Sequence, residues 1–386
     1  MTDLRMSTGS EAAAAASSAG AVDPGSAPTA AASGAALPDM ADASCPAPIP
    51  EVERVLLGHG SGGQLSAALM RDVIAPALGA SSPGGPLNDA AVVAVGGGRL
   101  AFTTDSFVVS PLAFPGGDIG ELAVNGTIND LAMMGARPVA LSLAYVIEEG
   151  LPFAELRRIT ESAARAAAAS GVPIVTGDTK VVGRGAADGV FVNTAGIGVV
   201  PDGVVLGAER ASPGDVVILS GPIGLHGVAI MSVREGLDFE VEIESDTQGL
   251  AGLVEAVLAV APDAHVLRDP TRGGLSSALN EIAAASGVGI TLDEPSVPIP
   301  GPVRAACEML GLDPLHVANE GKCVAIVPAA RASAVVAAMR SVPEGAEAVV
   351  IGQVVADHPG MVTMKTIIGS ERIVDMLIGE QLPRIC

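Results

Sequence analysis

The 386-residue chain predicts an α/β protein of α+β type: two domains followed by a flexible C-terminal tail. Three observations carry that prediction. Short apolar runs alternate with helical-period segments through most of the chain. The length suits two ordinary domains, with ample core and no need of staples. A turn-forming break, Ser212-Pro213-Gly214-Asp215, interrupts the alternation past its middle. The expected divisions are an extension over 1–50, domains over 51–205 and 206–368, and a tail over 369–386.

Composition narrows the function. There are 43 acidic against 21 basic side chains, a formal charge of -22. That argues against nucleic acid as a main partner, because phosphate neutralisation needs clustered Lys and Arg. An acidic protein can still handle a nucleotide if it recruits a divalent cation. Aromatic content is 2%, with Tyr145 the single Tyr and no Trp, so stacking platforms are scarce. No apolar run reaches the roughly 20 residues that span a bilayer, and the N-terminus lacks a signal-peptide pattern. Reduced cytoplasm is the expected compartment.

Residues 1–50 are mostly Ala, Ser, Gly and Pro. Their burial would not offset a backbone entropy of about 1–2 kcal/mol per residue, so a disordered extension without a chemical role is expected. Order should begin near Val52. The glycine-rich turn His59-Gly60-Ser61-Gly62-Gly63 opens a helix over 64–73, with Leu65, Ala68, Leu69 and Val73 on one face. Free N–H groups at such a turn suit a phosphate. Next come apolar strands around 90–95 and 101–104, then a helix from Ile119 to about Met134. Asp118 is its expected N-cap, with Glu121 three residues on. A strand over 139–147, a helix over 154–169 and a strand over 172–176 follow. In the second half, helices near 249–260, 274–286 and 302–310 alternate with strands near 216–220, 288–292, 323–327 and 349–354. The run 361–368 reads as one more strand, and Ser370 as the cap of a short helix through Leu377. Gly379 and Pro383 end that helix and leave Glu380 to Cys386 as an arm reaching at most about 25 Å. The acidic stretch Glu240 to Asp246 reads as a solvated edge.

Four acids, Asp89, Asp105, Asp130 and Asp178, fall at the ends of apolar elements. Singly each suits capping or turn duty. Together with Lys180 they suggest a site for a divalent cation and a polyphosphate. No G-x-x-x-x-G-K-[ST] loop occurs, so such a site is of another design. Asn125, Asn129 and Asp130 interrupt the apolar face of the 119–134 helix.

The four cysteines, Cys45, Cys307, Cys323 and Cys386, have neither zinc-site nor disulfide-framework spacing. Cys307 and Cys323 lie in apolar settings and should be buried. Cys386 is the last residue, an unusual place for a thiol. Its α-carboxylate disfavours a nearby thiolate, with Arg384 only a partial offset, so a sluggish nucleophile is expected.

The stretches GHGSGGQL (58–65), FTTDSFVVSPL (102–112), GGDIGELAVNGTINDLAMMGARP (116–138), GDTKVV (177–182), DPTRGG (269–274), ANEGK (318–322) and PRIC (383–386) resemble those of the HypE family of hydrogenase expression/formation proteins. That family lies in the PurM-like superfamily, with aminoimidazole ribonucleotide synthetase, selenophosphate synthetase and thiamine-monophosphate kinase. The resemblance runs from about Val55 to Cys386. It implies a two-domain PurM-like fold whose N-terminal sheet pairs across a homodimer, with ATP and Mg²⁺ at the domain boundary. It further implies that Cys386 receives a carbamoyl group from HypF. The S-carboxamide is then dehydrated to a thiocyanate with ATP, and the cyano group passes to the iron held by a HypC–HypD complex. On that reading Cys386, Glu320, Lys180 and Arg272 are catalytic, with Glu320 as the base. His59, Gly60, Ser61, Gly62, Gly63, Asp105, Asn125, Asn129 and Lys180 bind nucleotide, and Asp89, Asp105, Asp130 and Asp178 hold metal. One position departs: Leu225 stands before His226 where the family commonly has Asp, and this loop is left out of the expected site. Two other readings stay open on the residues alone: another ATP-dependent kinase or synthetase of the superfamily, or a non-catalytic thiol carrier.

Overall fold

In a computed structural model of the chain, the structure describes residues 54–78, 88–237, 243–379, 382 and 384–386. The 1–50 extension, Cys45 and Pro383 lie outside the described residues.

Two sheets organise the fold. The first has strands β1 (Ala91–Val95), β2 (Gly98–Phe107), β5 (Arg137–Glu148), β6 (Ile174–Val182) and β7 (Val190–Val200), in the order β1-β2-β7-β5-β6. Between β2 and β5 lies the small ribbon of β3 (Ala113–Phe114) and β4 (Gly117–Asp118). The second sheet has β8 (Asp215–Leu219), β9 (Val266–Arg268), β10 (Gly289–Asp293), β11 (Val324–Pro328), β12 (Val349–Val355), β13 (Val362–Lys365) and β14 (Glu371–Ile373). Their order is β14-β13-β10-β12-β8-β11-β9. Only β5–β6 and β10–β13 pair in parallel, so the α+β expectation holds.

Helices α1 (Gln64–Leu69) and α2 (Ala75–Leu78) flank a π-turn at Met70–Ile74. Helix α3 (Ile119–Met133) joins the two halves. Asp118 caps it as expected, its Oδ1 accepting from Gly120 N at 2.8 Å and Glu121 N at 3.2 Å. Arg158 on α4 (Phe153–Ala169) holds the other carboxylate oxygen at 2.8 Å. Helix α3 is apolar on nearly every side because it is covered on every side. Ile128 packs in one core with Phe107, Val192, Val228 and Ile385, and Leu131 and Met133 pack in a second with Leu253, Val257 and Ala325. A third core lies within the C-terminal half. Helix α5 (Leu225–Arg234) packs into the first core, α6 (Ala251–Val260) into the second, α7 (Gly274–Ser286) into the third, α8 (Gly301–Leu310) into the first and α9 (Ala332–Arg340) into the second. Cys307 and Cys323 are buried, as the sequence implied.

Three local expectations are corrected. Residues 371–373 form β14, antiparallel to β13, where Ser370 was expected to cap a helix; the free edge of β13 offers backbone partners that a short isolated helix lacks. The strand expected over 361–368 shortens to β13. Asp105, Asp178 and Lys180 lie within β2 and β6 rather than in turns after them. No helix among the described residues is long and apolar enough to cross a membrane.

Candidate active site and tail pocket

The acids separate according to strand parity. Neighbouring strand residues point to opposite faces. The register Asp178↔Ala144↔Asn193 and Lys180↔Val146↔Phe191 puts Asp178 and Lys180 on the sheet face away from α3. There they pair with each other, Nζ 2.5 Å from Oδ2, with side chains 67% and 65% exposed. The lysine bond is the main cause holding the Asp178 carboxyl below its ordinary range. Asp105 has the opposite parity and faces α3.

Beneath the sheet the structure gathers Asp89, Asp130 and Asp269, whose nearest oxygens all lie within 4.8 Å of one another. Asp89 comes from the loop before β1, Asp130 from α3 and Asp269 from the end of β9. Arg268 binds Asp89 at 3.0 Å and Glu281 at 2.6 Å. The Thr103 hydroxyl donates to Asp130 at 2.8 Å. Burial, then the charges of Asp269, Asp89 and Asp105, push Asp130 well above the usual carboxylate range. Burial and Asp89 raise Asp269 to about 8. Three mutually repelling carboxylates, Asp269 buried and Asp89 and Asp130 half-buried, around one gap are the donor set a hard divalent cation takes, so these residues fit magnesium. Asp178 is not among them, and Asp269, read in the sequence only as part of DPTRGG, is. Asp105 acts on the cluster through its charge.

A pocket of about 160 Å³ lies beside the C-terminus, whose last three residues form part of its wall. Cys386 is half-buried in it, with Gly60, Ser61, Ser106, Arg272 and His316 among its walls. Burial first, then the charge of Glu320, drives the Cys386 thiol far above its ordinary range, and Arg272 opposes this. The sluggish thiol expected from sequence thus has a different principal cause. Arg272 donates to Gly60 O at 3.2 Å. Gly62 is required here: its φ is +78°, and a Cβ would stand 2.7 Å from Arg272 Cβ and 2.8 Å from its carbonyl oxygen. The same loop is pinned from behind, because Gln64 N donates to Leu377 O at 2.7 Å. His59 bonds locally to Leu56.

Glu320 is 3% exposed, and its Oε1 has no partner among the described residues. Burial, then Asp269, Asp105 and Asp246, raise its carboxyl well above the ordinary range. Its backbone N–H donates to Asp246 Oδ1 at 3.0 Å, and Lys322 Nζ lies 3.6 Å from Asp246 Oδ2. The solvated edge expected over 240–246 is therefore corrected at Asp246, which is buried behind Glu320; residues 240–242 lie outside the described residues. Asn319 ties the loops together, accepting from Gly224 N at 2.7 Å and donating to Pro270 O at 2.9 Å.

The two asparagines differ. Asn129 is spent as a pin, accepting from Leu250 N at 2.7 Å and donating to Gln248 O at 3.0 Å. Asn125 lines a separate groove of about 990 Å³ beside α6. Neither faces the tail pocket. His226, from the loop left out of the expected site, does meet the tail, its Nε2 standing 2.8 Å from Ile385 O. The missing carboxylate at 225 removed the sequence signal without removing the contact.

Two sheets bridged by a buried helix, with clustered acids beneath the first, define a class. Residues 87–200 match the N-terminal domain of AIR synthase related proteins and 212–365 match their C-terminal domain. Among curated relatives, the carbamoyl dehydratase HypE of Azotobacter vinelandii is 57% identical over 328 residues, covering 85% of this chain and 96% of that protein. A crystal structure of a HypE–HypF complex matches with TM-score 0.75 and 46% identity over 80% of this chain and 100% of that chain. A HypE structure in complex with ATP matches with TM-score 0.73 and 45% identity over 86% and 100%. The chain belongs to the HypE family of carbamoyl dehydratases.

Proposed function

We propose that this chain dehydrates a carboxamide carried on its own Cys386, using ATP, to give a protein-bound thiocyanate that supplies a cyanide ligand for [NiFe]-hydrogenase iron. The observation that carries the reading is the tail pocket. It is lined by the terminal Cys386, near a buried carboxylate, Glu320, whose Oε1 has no partner among the described residues.

An amide loses water only if its oxygen becomes a leaving group. The carbonyl oxygen of S-carbamoyl Cys386 attacks the γ-phosphorus of ATP, ADP departs, and Glu320 takes one N–H proton. Loss of the second N–H proton drives cleavage of the C–O bond, phosphate leaves, and S–C≡N remains. Arg272, beside the terminus, offsets charge on the phosphoryl oxygens, and the His59–Gly63 loop covers them. Asp89, Asp130 and Asp269, with Asp105 alongside, would hold magnesium, which when bound draws charge from the phosphate oxygens. HypF supplies the carbamoyl group and a HypC–HypD complex accepts the cyano group.

The open face of the first sheet supports a homodimer. Phe102 and Ile197 lie opposite each other across β2 and β7 and are 48% and 40% exposed, with Val93 on β1 and Val146 on β5 alongside on the same face. Two such faces closing on one another would bury them. Lys180 shares that face, so its role on the phosphoryl group is exerted on the partner's tail.

The test is mass spectrometry of the C-terminal peptide after incubation with active HypF, carbamoyl phosphate and ATP. Carbamoylation of Cys386 followed by loss of one water is expected. A peptide of unchanged mass would overturn the reading.

A further inference from the structure

The last three residues are held by a dedicated set of groups, none of which the dehydration chemistry employs. Arg384 Nε and Nη2 donate to Val108 O at 3.1 and 3.0 Å. Its Nη1 pairs with the Asp188 carboxylate, and its guanidinium carbon lies 5.9 Å from the Phe191 ring centre. The Arg384 carbonyl accepts from Ser110 N at 3.3 Å and from Arg234 Nη2 at 2.9 Å. The Ile385 carbonyl accepts from His226 Nε2 at 2.8 Å, and a Cys386 α-carboxylate oxygen from Val108 N at 3.1 Å. Ile385 itself is 4% exposed, in the core that holds Val228 and Leu382. A tail that merely rested on the surface would leave these carbonyls to water.

Two features make this a receptor for one conformation. Arg384 has φ +52°, a left-handed backbone that a non-glycine residue keeps only where its surroundings over-determine it. His226 has a single compatible tautomer. A carbonyl only accepts, so Nε2 carries the hydrogen, and Nδ1 accepts from Ser245 Oγ at 2.8 Å. Ser245 Oγ in turn accepts from Thr247 N at 3.1 Å.

We propose that Asp188, His226 and Arg234 are positioning residues: they form a receptor that reads the Arg384 side chain and the 384–385 backbone, and so fix where the Cys386 thiol lies. The inference deepens the proposed function and rests on Cys386 as the acceptor. The receptor draws on both halves of the chain, with Asp188 from the turn between β6 and β7 and His226 and Arg234 from opposite ends of α5.

The experiment is alkylation of Cys386 in the full-length protein by iodoacetamide, followed by mass spectrometry of the C-terminal peptide; it needs neither ATP nor HypF. Asp188→Arg is expected to raise the alkylation rate by about tenfold, and His226→Leu, which leaves a buried carbonyl unpaired, by at least about as much. His226→Gln keeps an N–H donor near the place of Nε2 and is expected to stay within about threefold of the native rate. Asp188→Glu keeps a carboxylate for the Arg384 guanidinium and leaves its bonds to Val108 O intact, and is expected to stay within about threefold of the native rate. The native rate in Asp188→Arg, on an exposed turn where misfolding is no concern, overturns the proposal. So does an Asp188→Glu variant as fast as Asp188→Arg. A protein that shows the expected pattern yet never loses water from carbamoylated Cys386 keeps the receptor and sinks the dehydration reading.

Discussion

His226 Nε2 lies 2.8 Å from the carbonyl oxygen of Ile385, a residue 159 positions away in the chain. The imidazole is fully buried against the edge of the Phe114 ring, and burial lowers its pKa. The neutral ring this favours has one hydrogen to give and one lone pair to fill, and Ile385 and Ser245 use one each. A carboxylate in place of Leu225 is not required for that arrangement.

Lys180 and Glu320 are expected to cooperate across a homodimer, because Lys180 lies on the open sheet face and Glu320 is buried behind the tail pocket. Lys180→Ala and Glu320→Ala alone should each accept carbamate and stall before the nitrile. Mixed after dissociation and reassociation, the two variants should regain up to about half the native dehydration per heterodimer, since one composite site is intact. No recovery in a verified heterodimer would place both residues in one subunit.

Glu320→Gln is expected to abolish dehydration and stabilise the fold. The raised Glu320 pKa means that the folded state holds this proton at pH values where the unfolded chain has lost it. Stability from this group is therefore complete below the unfolded value near 4.5 and falls as pH rises toward the folded one. The glutamine has no charge to desolvate. The gain in unfolding free energy should grow with pH, reaching roughly 1–2 kcal/mol near pH 8. Urea titrations at pH 5 and pH 8 check this, and an equal effect at both would contradict it.

Magnesium should stabilise the protein through the clustered acids. At a hundredfold excess over its Kd a ligand adds about 2.7 kcal/mol. Asp130→Asn, at the centre of the cluster, should lose most of that increment in a thermal-shift titration with Mg²⁺ alone. Asp178→Asn, on the far face of the sheet, should keep it.

Ile197→Asp places a charge in the centre of the open sheet face, opposite Phe102. Light scattering should show a dimer for the native chain and a monomer for this variant, with unchanged far-UV circular dichroism. A dimeric Ile197→Asp protein would remove this face as the contact.

The helices over 119–133, 153–169 and 274–286 and the strand Asp215–Leu219 were legible because an apolar run and a glycine stop lie within a few residues, with Asp118 adding a cap to the first. Residues 371–373 misled for the same reason: Ser370 is a sound local cap, yet the edge of β13, supplied by tertiary packing, decided the backbone. Asp246 misled because its acidic neighbours describe a surface while its burial depends on Glu320 and Lys322, more than 70 positions away.

The sequence by itself determined the family, the terminal thiol, and an inventory of carboxylates and glycine turns with a candidate base, Glu320, for it to work with, since these are properties of residue type and spacing. Only the tertiary structure decided how the inventory divides. It put Asp269 with Asp89 and Asp130, set Asp178 and Lys180 on the opposite face through the two-residue period of a strand, and seated Arg384 and Ile385 against Asp188, Arg234 and His226. Those are contacts between distant segments, and no local pattern encodes which distant partner a side chain will meet.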